Sequence, residues 1–432
     1  MSDTIHALAS GRPPAGVAVV RVSGPDAGRV MRALVGRDLP ARRAVLATLR
    51  DGDGAPLDDA IAIHFPAPGS FTGEDVLELH CHGGRAVVDA LSRHLTHGLG
   101  LRPAEPGEFT MRAHRNGRID LIEAERLADL VEAETDAQRR FALSGLGRRN
   151  IRLYEGWRED LLAVRALIEA SLDFADEDDA PVDVGGEVAR RLDALRGAMA
   201  AHLGGLRATR IVREGFGVVL AGVPNAGKSS LLNALAGHEA AIVTDVPGTT
   251  RDVLEVPLDV GGHRIVVADV AGLRDTDDRV ERIGVDRARE RMVRADLVLL
   301  LVPPTGESPD PLPPVSPERI VRVGTKVDLG SSAERIGVST VTGAGLSALL
   351  SLLRDRAGAE GWRERGAGTA PIAERHAAHV RAALAALDAT DEPDELLAER
   401  VRAAADEIGR IVGVTDIEDV YGAIFSRFCM GK

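Results

Sequence analysis

Mixed α/β structure with an additional helical part is the fold class that this chain of 432 residues predicts. In two segments, short apolar runs alternate with turn-forming glycine and proline, which is typical of strands. Around the second of these segments, apolar residues recur every three or four positions, which is the spacing of amphipathic helices. We therefore expect an α/β domain at the start, followed by a helical domain that a second α/β domain divides.

Residues 1–117 predict the first α/β domain. Segments 17–22, 61–65 and 76–81 have the apolar pattern of strands, and turns that contain glycine or proline separate them. A pair of glycines then precedes a helix that is expected to begin near Arg85.

Residues 118–213 and 369–432 predict the two parts of the helical domain. A long amphipathic helix is expected around Trp157, and an acidic segment with a proline ends it. One further helix is expected over residues 187–210.

Residues 214–368 predict the inserted domain. Four apolar strands alternate with helical segments, which is typical of a parallel sheet with helices on both faces. The expected strands are 216–220, 264–268, 297–302 and 320–323.

The composition favours a cytoplasmic protein. Two cysteines, Cys81 and Cys429, are too few for a disulfide framework and fit a reducing compartment. The first ten residues lack the basic start of a secretory signal. Because the apolar runs are far shorter than the ~20 residues of a membrane span, we expect no membrane segment.

Charge patterning leaves two interpretations open. The net charge of −13 argues against a broad nucleic-acid-binding surface. Arginines nevertheless cluster before and at the end of one helical stretch, and each group is either a solvated helix face or a local basic patch. The two groups are Arg102, Arg112, Arg115, Arg118 and Arg139, Arg140, Arg148, Arg149, Arg152.

Lysine is rare, and its positions are informative. The chain has fifty arginines but only Lys228, Lys326 and Lys432, so lysine remains where a planar guanidinium does not fit. Lys228 lies in segment 222–229, which matches GxxxxGK[ST] between an expected strand and an expected helix. Backbone N–H groups of such a loop hold phosphates, the lysine neutralises them, and the Ser229 hydroxyl binds Mg²⁺.

Further motifs follow in the order that GTP-binding proteins use. Thr249 and Thr250 stand in a glycine- and proline-flanked loop, and either could reach Mg²⁺. Asp269 and Gly272 form DxxG, in which the carboxylate contacts the metal through water and the glycine N–H holds the γ-phosphate. Segment 325–328 resembles a guanine-reading loop. The remaining nucleotide contacts expected from these motifs are Asp328 to the guanine ring and Ser339 with Thr340 to the base edge.

The residue that orients the attacking water is not evident. Many GTPases have glutamine directly after DxxG, but Leu273 stands there in this chain. Two candidates remain, namely Asn225 in the phosphate loop and Glu281 in segment 279–284. On its pattern alone, Glu281 also fits a solvated helix residue.

The whole chain resembles the MnmE (TrmE) family of tRNA-modification GTPases. The resemblance is carried by Asn225 in the phosphate loop and by segments 241–252, 272–274, 280–284, 70–78, 106–109 and the FCMGK ending at 428–432. It implies an N-terminal α/β folate-binding domain, a discontinuous α-helical domain and an inserted Ras-like P-loop G domain.

The resemblance also implies a K⁺-activated hydrolysis mechanism. The K⁺ ligands would be Asn225, Thr244, Val246 and Thr249, the Mg²⁺ ligands would be Ser229 and Thr250, and Glu281 would be catalytic. A cation near the leaving phosphate stabilises the charge that grows in the transition state. The full set of expected GTP contacts is Asn225, Ala226, Gly227, Lys228, Ser229, Ser230, Thr244, Asp245, Val246, Pro247, Gly248, Thr249, Thr250, Asp269, Val270, Ala271, Gly272, Thr325, Lys326, Asp328, Ser339 and Thr340.

For the N-terminal domain, the resemblance implies a homodimer and a site for 5-formyl- or methylene-tetrahydrofolate. Its ligands would be Arg21, Glu78, Arg118 and Lys432, because a carboxylate can pair with pterin donors and a cation with glutamyl carboxylates. Cys429 would lie nearby, either as a reactive thiol or as a packing residue.

The implied activity requires a partner. Together with an FAD-dependent MnmG-type protein, in a heterotetramer, the chain would add an aminomethyl or carboxymethylaminomethyl group to carbon 5 of the wobble uridine in tRNA. The alternative is a ribosome-assembly GTPase that acts as an RNA-binding switch. Three positions depart from the family pattern: Val270 replaces threonine, Thr325 replaces the asparagine of NKxD, and Arg118 replaces lysine.

Overall fold

The computed structural model describes residues 3–173, 184–242, 255–269, 290–307, 315–361, 369–388, 393–414, 424–425, 428 and 431. The chain forms two compact units. The first contains residues 1–128, 154–162 and 402–432, and the second contains residues 129–153 and 163–401.

A six-stranded sheet forms the centre of the first unit, in the order β3-β4-β5-β2-β1-β6. Neighbouring strands are antiparallel, except that β1 and β6 are parallel. The strands are β1 Ile5–Leu8, β2 Ala15–Ser23, β3 Val45–Arg50, β4 Pro56–Phe65, β5 Val76–Gly83 and β6 Arg102–Pro103. The three strands expected here are confirmed, and each is longer than its apolar run.

Alternation along the strands separates the two faces of this sheet. Ala18, Val20 and Val22 on β2 are buried in one core with residues of α1 (Ala27–Val35) and α2 (Arg85–Arg93). The residues between them, Val19 and Arg21, lie on the opposite face. The helix expected near Arg85 is confirmed, and one π-helical turn, His94–Gly98, extends it.

Helices follow the first sheet. They are α3 Glu108–Arg115, α4 Leu121–Val131, α5 Asp136–Leu143, α6 Leu146–Asp173, α7 Val184–Leu203 and α8 Leu206–Glu214. Helix α5 begins with a capping box, in which Thr135 and Gln138 each bind the backbone of the other. Helix α6 is the long helix expected around Trp157.

The single helix expected over 187–210 is wrong, because α7 ends at Leu203 and α8 begins at Leu206. Gly204 and Gly205 occupy the break. A Cβ atom at Gly205 would lie 2.4 Å from the Cβ atom of Ala370, so only glycine permits this close approach.

The second unit contains another six-stranded sheet, in the order β12-β11-β10-β7-β9-β8. Its strands are β7 Phe216–Gly222, β8 Glu255–Val260, β9 His263–Asp269, β10 Leu297–Val302, β11 Ile320–Thr325 and β12 Ile336–Val338. All neighbours are parallel except the hairpin of β8 and β9. The four expected strands and their parallel arrangement are therefore confirmed.

Helices cover this sheet, and every residue of β10 is buried, as expected for a central parallel strand. Leu231 on α9 (Lys228–Ala236) and Leu349 on α10 (Leu346–Glu360) pack in its core. The last two helices are α11 Glu374–Leu387 and α12 Asp394–Val412. None of the helices in the described part of the chain combines the length and apolar composition that a bilayer crossing requires.

Candidate nucleotide-binding site

A tight loop joins β7 to α9, and its backbone has the conformation of an anion cradle. Gly222 has φ 155°, and a Cβ atom there would lie 2.8 Å from the carbonyl oxygen of Leu301. Gly227, at φ 97°, precedes the first residue of α9. Asn225 is exposed in a left-handed conformation, at φ 62°. The loop therefore presents consecutive backbone N–H groups beside the positive end of a helix.

Lys228 is folded onto this loop. Its Nζ donates to the carbonyl oxygens of Gly222 at 2.9 Å and Val223 at 3.1 Å. Burial lowers the pKa of this ammonium group, and the nearby Asp269 carboxylate acts against that effect. A phosphate in the loop would supply the charge that stabilises the buried cation.

Ser229 and Asp269 meet beside the phosphate loop. The hydroxyl of Ser229 donates to Oδ2 of Asp269 at 2.9 Å, and Asp269 is buried. The two residues come from separate motifs, but β7 and β9 are adjacent and Leu220 is directly opposite Asp269. One neutral and one anionic oxygen side by side form the hard donor set that Mg²⁺ prefers.

A cavity of about 200 Å³ lies next to the loop. Its polar wall includes Lys326, Asp328 and Thr340, which the sequence motifs assign to the base. The complete lining is Gly227, Ser230, Leu231, Thr325, Lys326, Asp328, Leu329, Val338, Thr340 and Val341. The phosphate loop and the guanine-reading segment therefore share one site.

Thr325 joins these two parts of the site. Its buried hydroxyl donates to the carbonyl oxygen of Ala226 at 2.7 Å. The next residue, Lys326, has a left-handed backbone at φ 54°. The threonine that replaces the family's asparagine thus holds the phosphate loop against the end of β11.

The two residues expected at the base edge differ in position. Thr340 lines the cavity and is exposed, whereas Ser339 is fully buried. The Ser339 hydroxyl oxygen accepts hydrogen bonds from the backbone N–H groups of Val341 at 3.3 Å and Thr342 at 3.2 Å. Ser339 shapes the turn, and Thr340 faces the cavity.

The sequence motifs do not include the apolar lining residues Leu231, Leu329, Val338 and Val341. Two of these are conspicuous in the structure, because Leu329 is 76% exposed and Val341 is 82% exposed. The sequence contains one signal for these two residues, because each directly follows a position that is expected to contact the base, namely Asp328 or Thr340. Such side chains can cover the faces of a planar ring.

Several expected site residues lie outside the described residues. They are Thr244, Asp245, Val246, Pro247, Gly248, Thr249, Thr250, Val270, Ala271, Gly272, Glu281, Cys429 and Lys432. The described part of the site contains Asn225, Lys228, Ser229, Asp269 and the lining of the base cavity.

Arg21 and Glu78, both expected to bind folate, form an ion pair on the sheet of the first unit. The residues are opposite each other on β2 and β5, and Nη2 of Arg21 lies 2.8 Å from Oε1 of Glu78. The Arg21 guanidinium also lies over the rings of Phe71 and Phe109, at 5.6 and 5.5 Å from their centroids. Both charged groups are partly exposed, so a ligand can reach them.

Arg118, the third residue expected to bind folate, lies beside the loop that contains Phe71 and Gly73. It is exposed, and a Cβ atom at Gly73 would be 3.2 Å from Cγ of Arg118. Gly73 and Phe71 belong to segment 70–78, which carries part of the family resemblance. Arg118 therefore lies next to the loop whose Phe71 ring contacts the Arg21 guanidinium.

A phosphate loop, a paired hydroxyl and carboxylate, and a base cavity with Asp328 on a mostly parallel sheet define a P-loop protein of the GTPase class. Two family models match this chain and narrow the class to one family. The model described as GTP-binding protein TrmE N-terminus matches residues 4–118, and the model described as MnmE helical domain matches residues 121–429. The chain belongs to the MnmE family of tRNA modification GTPases.

Curated relatives agree over the full length. A protein named tRNA modification GTPase MnmE from Mesorhizobium japonicum is 49% identical, over 100% of this chain and 99% of its own length. The protein of the same name from Rhizobium johnstonii is 48% identical, again over 100% of this chain and 99% of its own. Among solved structures, the G domain of the T. maritima FeoB iron transporter is 27% identical over 33% of this chain and 98% of its own, with a TM-score of 0.22.

Proposed function

We propose that this chain is a K⁺-activated GTPase that modifies tRNA together with an FAD-dependent MnmG-type partner. The product would be an aminomethyl or carboxymethylaminomethyl group on carbon 5 of the wobble uridine, with its one-carbon unit taken from tetrahydrofolate. The observation that carries the GTPase half is the junction of the phosphate loop, the Ser229–Asp269 pair and the base cavity. The names of the full-length relatives support the tRNA half.

In the phosphate site, each side chain has a distinct task. Lys228 would exchange its two carbonyl partners for the β- and γ-phosphate oxygens, which carry full negative charge. Ser229 would hold Mg²⁺ directly, and Asp269 would hold it through water. The metal neutralises charge on the phosphates when it is bound. Thr250 is the proposed second protein ligand.

K⁺ activation is proposed from the position of Asn225. This residue is exposed in the phosphate loop and has a left-handed backbone conformation. It would orient K⁺ near the leaving phosphate, with Thr244, Val246 and Thr249 as further ligands. Glu281 would then orient the water, since Leu273 has no group that can do so.

In the base cavity, Asp328 would provide the selectivity for guanine. A carboxylate accepts the two hydrogen bonds that a guanine edge offers, whereas adenine lacks this donor pair. The aliphatic stem of Lys326 and the apolar side chains of Leu329 and Val341 would cover the ring faces.

A tetrahydrofolate site is proposed on the face of the first sheet opposite α1 and α2. The fit rests on a carboxylate, a guanidinium and an aromatic ring within one small area, which suits a pterin with its acidic tail. Glu78 would accept from the pterin N–H groups, and Arg21, Arg118 and Lys432 would provide positive charge. The bound folate supplies the one-carbon unit.

The proposed assembly is a cytoplasmic homodimer that binds the flavoprotein partner in a heterotetramer and takes tRNA as its substrate. These features follow from the family resemblance.

The test is mass spectrometry of wobble uridines in tRNA from cells that lack this protein. We expect the modification to disappear, and to return with the wild-type chain but not with Lys228→Ala or Glu78→Ala. Unchanged wobble uridines would refute the proposal. If ribosomal subunits instead accumulated as precursors, the ribosome-assembly alternative would replace it.

A further inference from the structure

One loop of the first unit, residues 70–74 between β4 and β5, presents a partly exposed aromatic ring. Phe71 is 36% exposed, whereas Ser70 and Thr72 on either side of it are buried. The hydroxyl of Ser70 donates to the carbonyl oxygen of Glu74 at 2.5 Å, and the hydroxyl oxygen of Thr72 accepts from the Glu74 N–H at 3.3 Å. Side-chain hydroxyls of this kind close turns by binding nearby backbone groups. The hydrogen bonds of this phenylalanine loop therefore define its backbone conformation.

A serine of β2 clamps the phenylalanine loop to the sheet. Ser23 comes two residues after Arg21, so both side chains are on the same face of the strand. Ser23 is fully buried, and its Oγ donates to Oε2 of Glu74 at 2.7 Å. Because this bond uses the only proton of the serine hydroxyl, the Thr72 hydroxyl, also 2.7 Å away, donates to Ser23. The clamp thus joins the loop to the strand that carries Arg21.

Helix α3 supports the same loop. Nη1 of Arg112 lies 3.2 Å from Oε2 of Glu74, and Nη2 of Arg112 lies 2.8 Å from Oε1 of Glu108. The three side chains are at most 14% exposed, and breaking one buried pair would leave an uncompensated charge. Directly after α3, the side-chain amide of Asn116 donates to the carbonyl oxygen of Thr72 at 2.7 Å. Groups from β2 and from α3 therefore hold the loop together.

The held loop places its ring beside charged residues of the sheet. The ring centroid of Phe71 lies 5.6 Å from the guanidinium carbon of Arg21, and the fully buried ring of Phe109 lies at 5.5 Å. Arg21 in turn pairs with Glu78 at 2.8 Å. A partly exposed apolar ring thus borders a guanidinium and a carboxylate. A flat heteroaromatic ligand can stack on such a ring while its polar edge pairs with the carboxylate.

We propose that Phe71 is a stacking residue for the pterin ring of the tetrahydrofolate site. Ser23, Thr72 and Arg112 are positioning residues, which fix the phenylalanine loop without touching the ligand. A loop that is already ordered loses little conformational freedom on binding, so more of the contact energy appears as affinity. This inference rests on the proposed folate site and adds to it the side chain that packs on the ring and the groups that hold that side chain.

The test measures the binding of 5-formyl-tetrahydrofolate to full-length proteins by titration calorimetry. Phe71→Leu keeps an apolar side chain but removes the ring. Thr72→Val removes the buried hydroxyl and keeps the shape of the side chain, whereas Thr72→Ser retains the hydroxyl. The control is Thr96→Val, which removes a hydrogen bond of 2.9 Å to the buried His6 in the π-helical turn that follows α2.

For Phe71→Leu we expect the Kd to rise roughly five- to tenfold, because the aromatic contact is lost. Thr72→Val should raise the Kd roughly two- to tenfold and should speed amide hydrogen exchange in residues 70–74, since the loop must then be ordered by the ligand. Thr72→Ser should remain close to the wild type in both measurements. Thr96→Val should unfold at a lower temperature and bind the folate normally.

The outcomes separate stacking, positioning and general stability. A wild-type Kd in Phe71→Leu would overturn the stacking role, and this partly exposed position can be tested even if Thr72→Val does not fold. Equal losses of affinity in Thr72→Val and Thr96→Val would overturn the positioning role, because reduced stability alone would then explain both. If the wild type did not bind 5-formyl-tetrahydrofolate at all, the folate part of the proposed function would fail together with this inference.

Discussion

Replacing Thr325 by valine should loosen the phosphate loop, because valine has the shape of threonine without its hydroxyl. The lost interaction is the buried hydrogen bond to the carbonyl oxygen of Ala226, 2.7 Å long and 99 residues distant in sequence. Removing one partner leaves a buried acceptor unsatisfied, which costs about 1–3 kcal/mol. We expect the free energy of unfolding to fall by this amount.

The same change should weaken nucleotide binding. Ala226 lies in the middle of the proposed phosphate loop, and Thr325 comes shortly before Lys326 and Asp328, which line the proposed base cavity. Without this hydrogen bond, part of the binding free energy must be used to order the phosphate loop. We therefore expect binding to weaken by about 1–2 kcal/mol, or roughly a five- to thirtyfold rise in Kd for GDP.

Two further substitutions of Thr325 serve as comparisons. Thr325→Ser retains the hydroxyl and should remain close to the wild type in urea unfolding and in fluorescent GDP binding. Thr325→Asn introduces the residue usual in the family and tests whether a longer side chain holds the loop equally well. Wild-type stability and affinity in Thr325→Val would refute the reasoning, since the hydrogen bond would then contribute nothing.

Three further predictions concern catalysis and pH. GTP hydrolysis should be much faster in KCl than in NaCl, and Asn225→Ala should abolish this preference; equal rates of the wild type in both salts would contradict the K⁺ site. Glu281→Ala should slow turnover by about 10²-fold or more while fluorescent GTP binds normally, and loss of binding would indicate a structural role. Burial lowers the pKa of both His6 and His202 to about 4 from 6.5, with His376 adding to the effect at His202. The unfolded chain therefore takes up these protons first, so the stability that the neutral rings provide is complete above pH 6.5 and is lost as the pH falls towards 4. His202→Gln should lose less stability than the wild type between pH 7 and pH 4.5 in denaturant titrations, and identical losses would refute this assignment.

Local sequence patterns predicted much of the fold. Short apolar runs predicted β2, β4, β5 and the four central strands of the second sheet, because burial of one or both faces determines residue type within a strand. The patterns missed short or edge strands, such as β3, in which Leu46 is 73% exposed, and the three-residue β12. They also missed the break at Gly204 and Gly205, because a helix-compatible pattern continues through both residues while the close approach of Ala370 comes from a distant segment.

In the candidate site, too, sequence motifs predict the residue types, whereas the tertiary structure determines which of them are in contact. Motif order along the chain predicted roles for Lys228, Ser229, Asp269 and Asp328, since phosphate, metal and base chemistry each require particular residue types. Register between strands explains why Ser229 and Asp269 touch.

By itself, the sequence determined the class of chemistry and predicted most of the polar groups that would bind GTP, because charge, hydroxyl and glycine requirements are local properties of a chain. Only the tertiary structure decided which distant groups meet: the Arg21–Glu78 pair on neighbouring strands, the Thr325 hydroxyl on the phosphate loop, and the apolar walls of Leu329 and Val341 at the base cavity. The physical reason is that these contacts depend on sheet order and register, which arise from burial of the whole core rather than from any short segment.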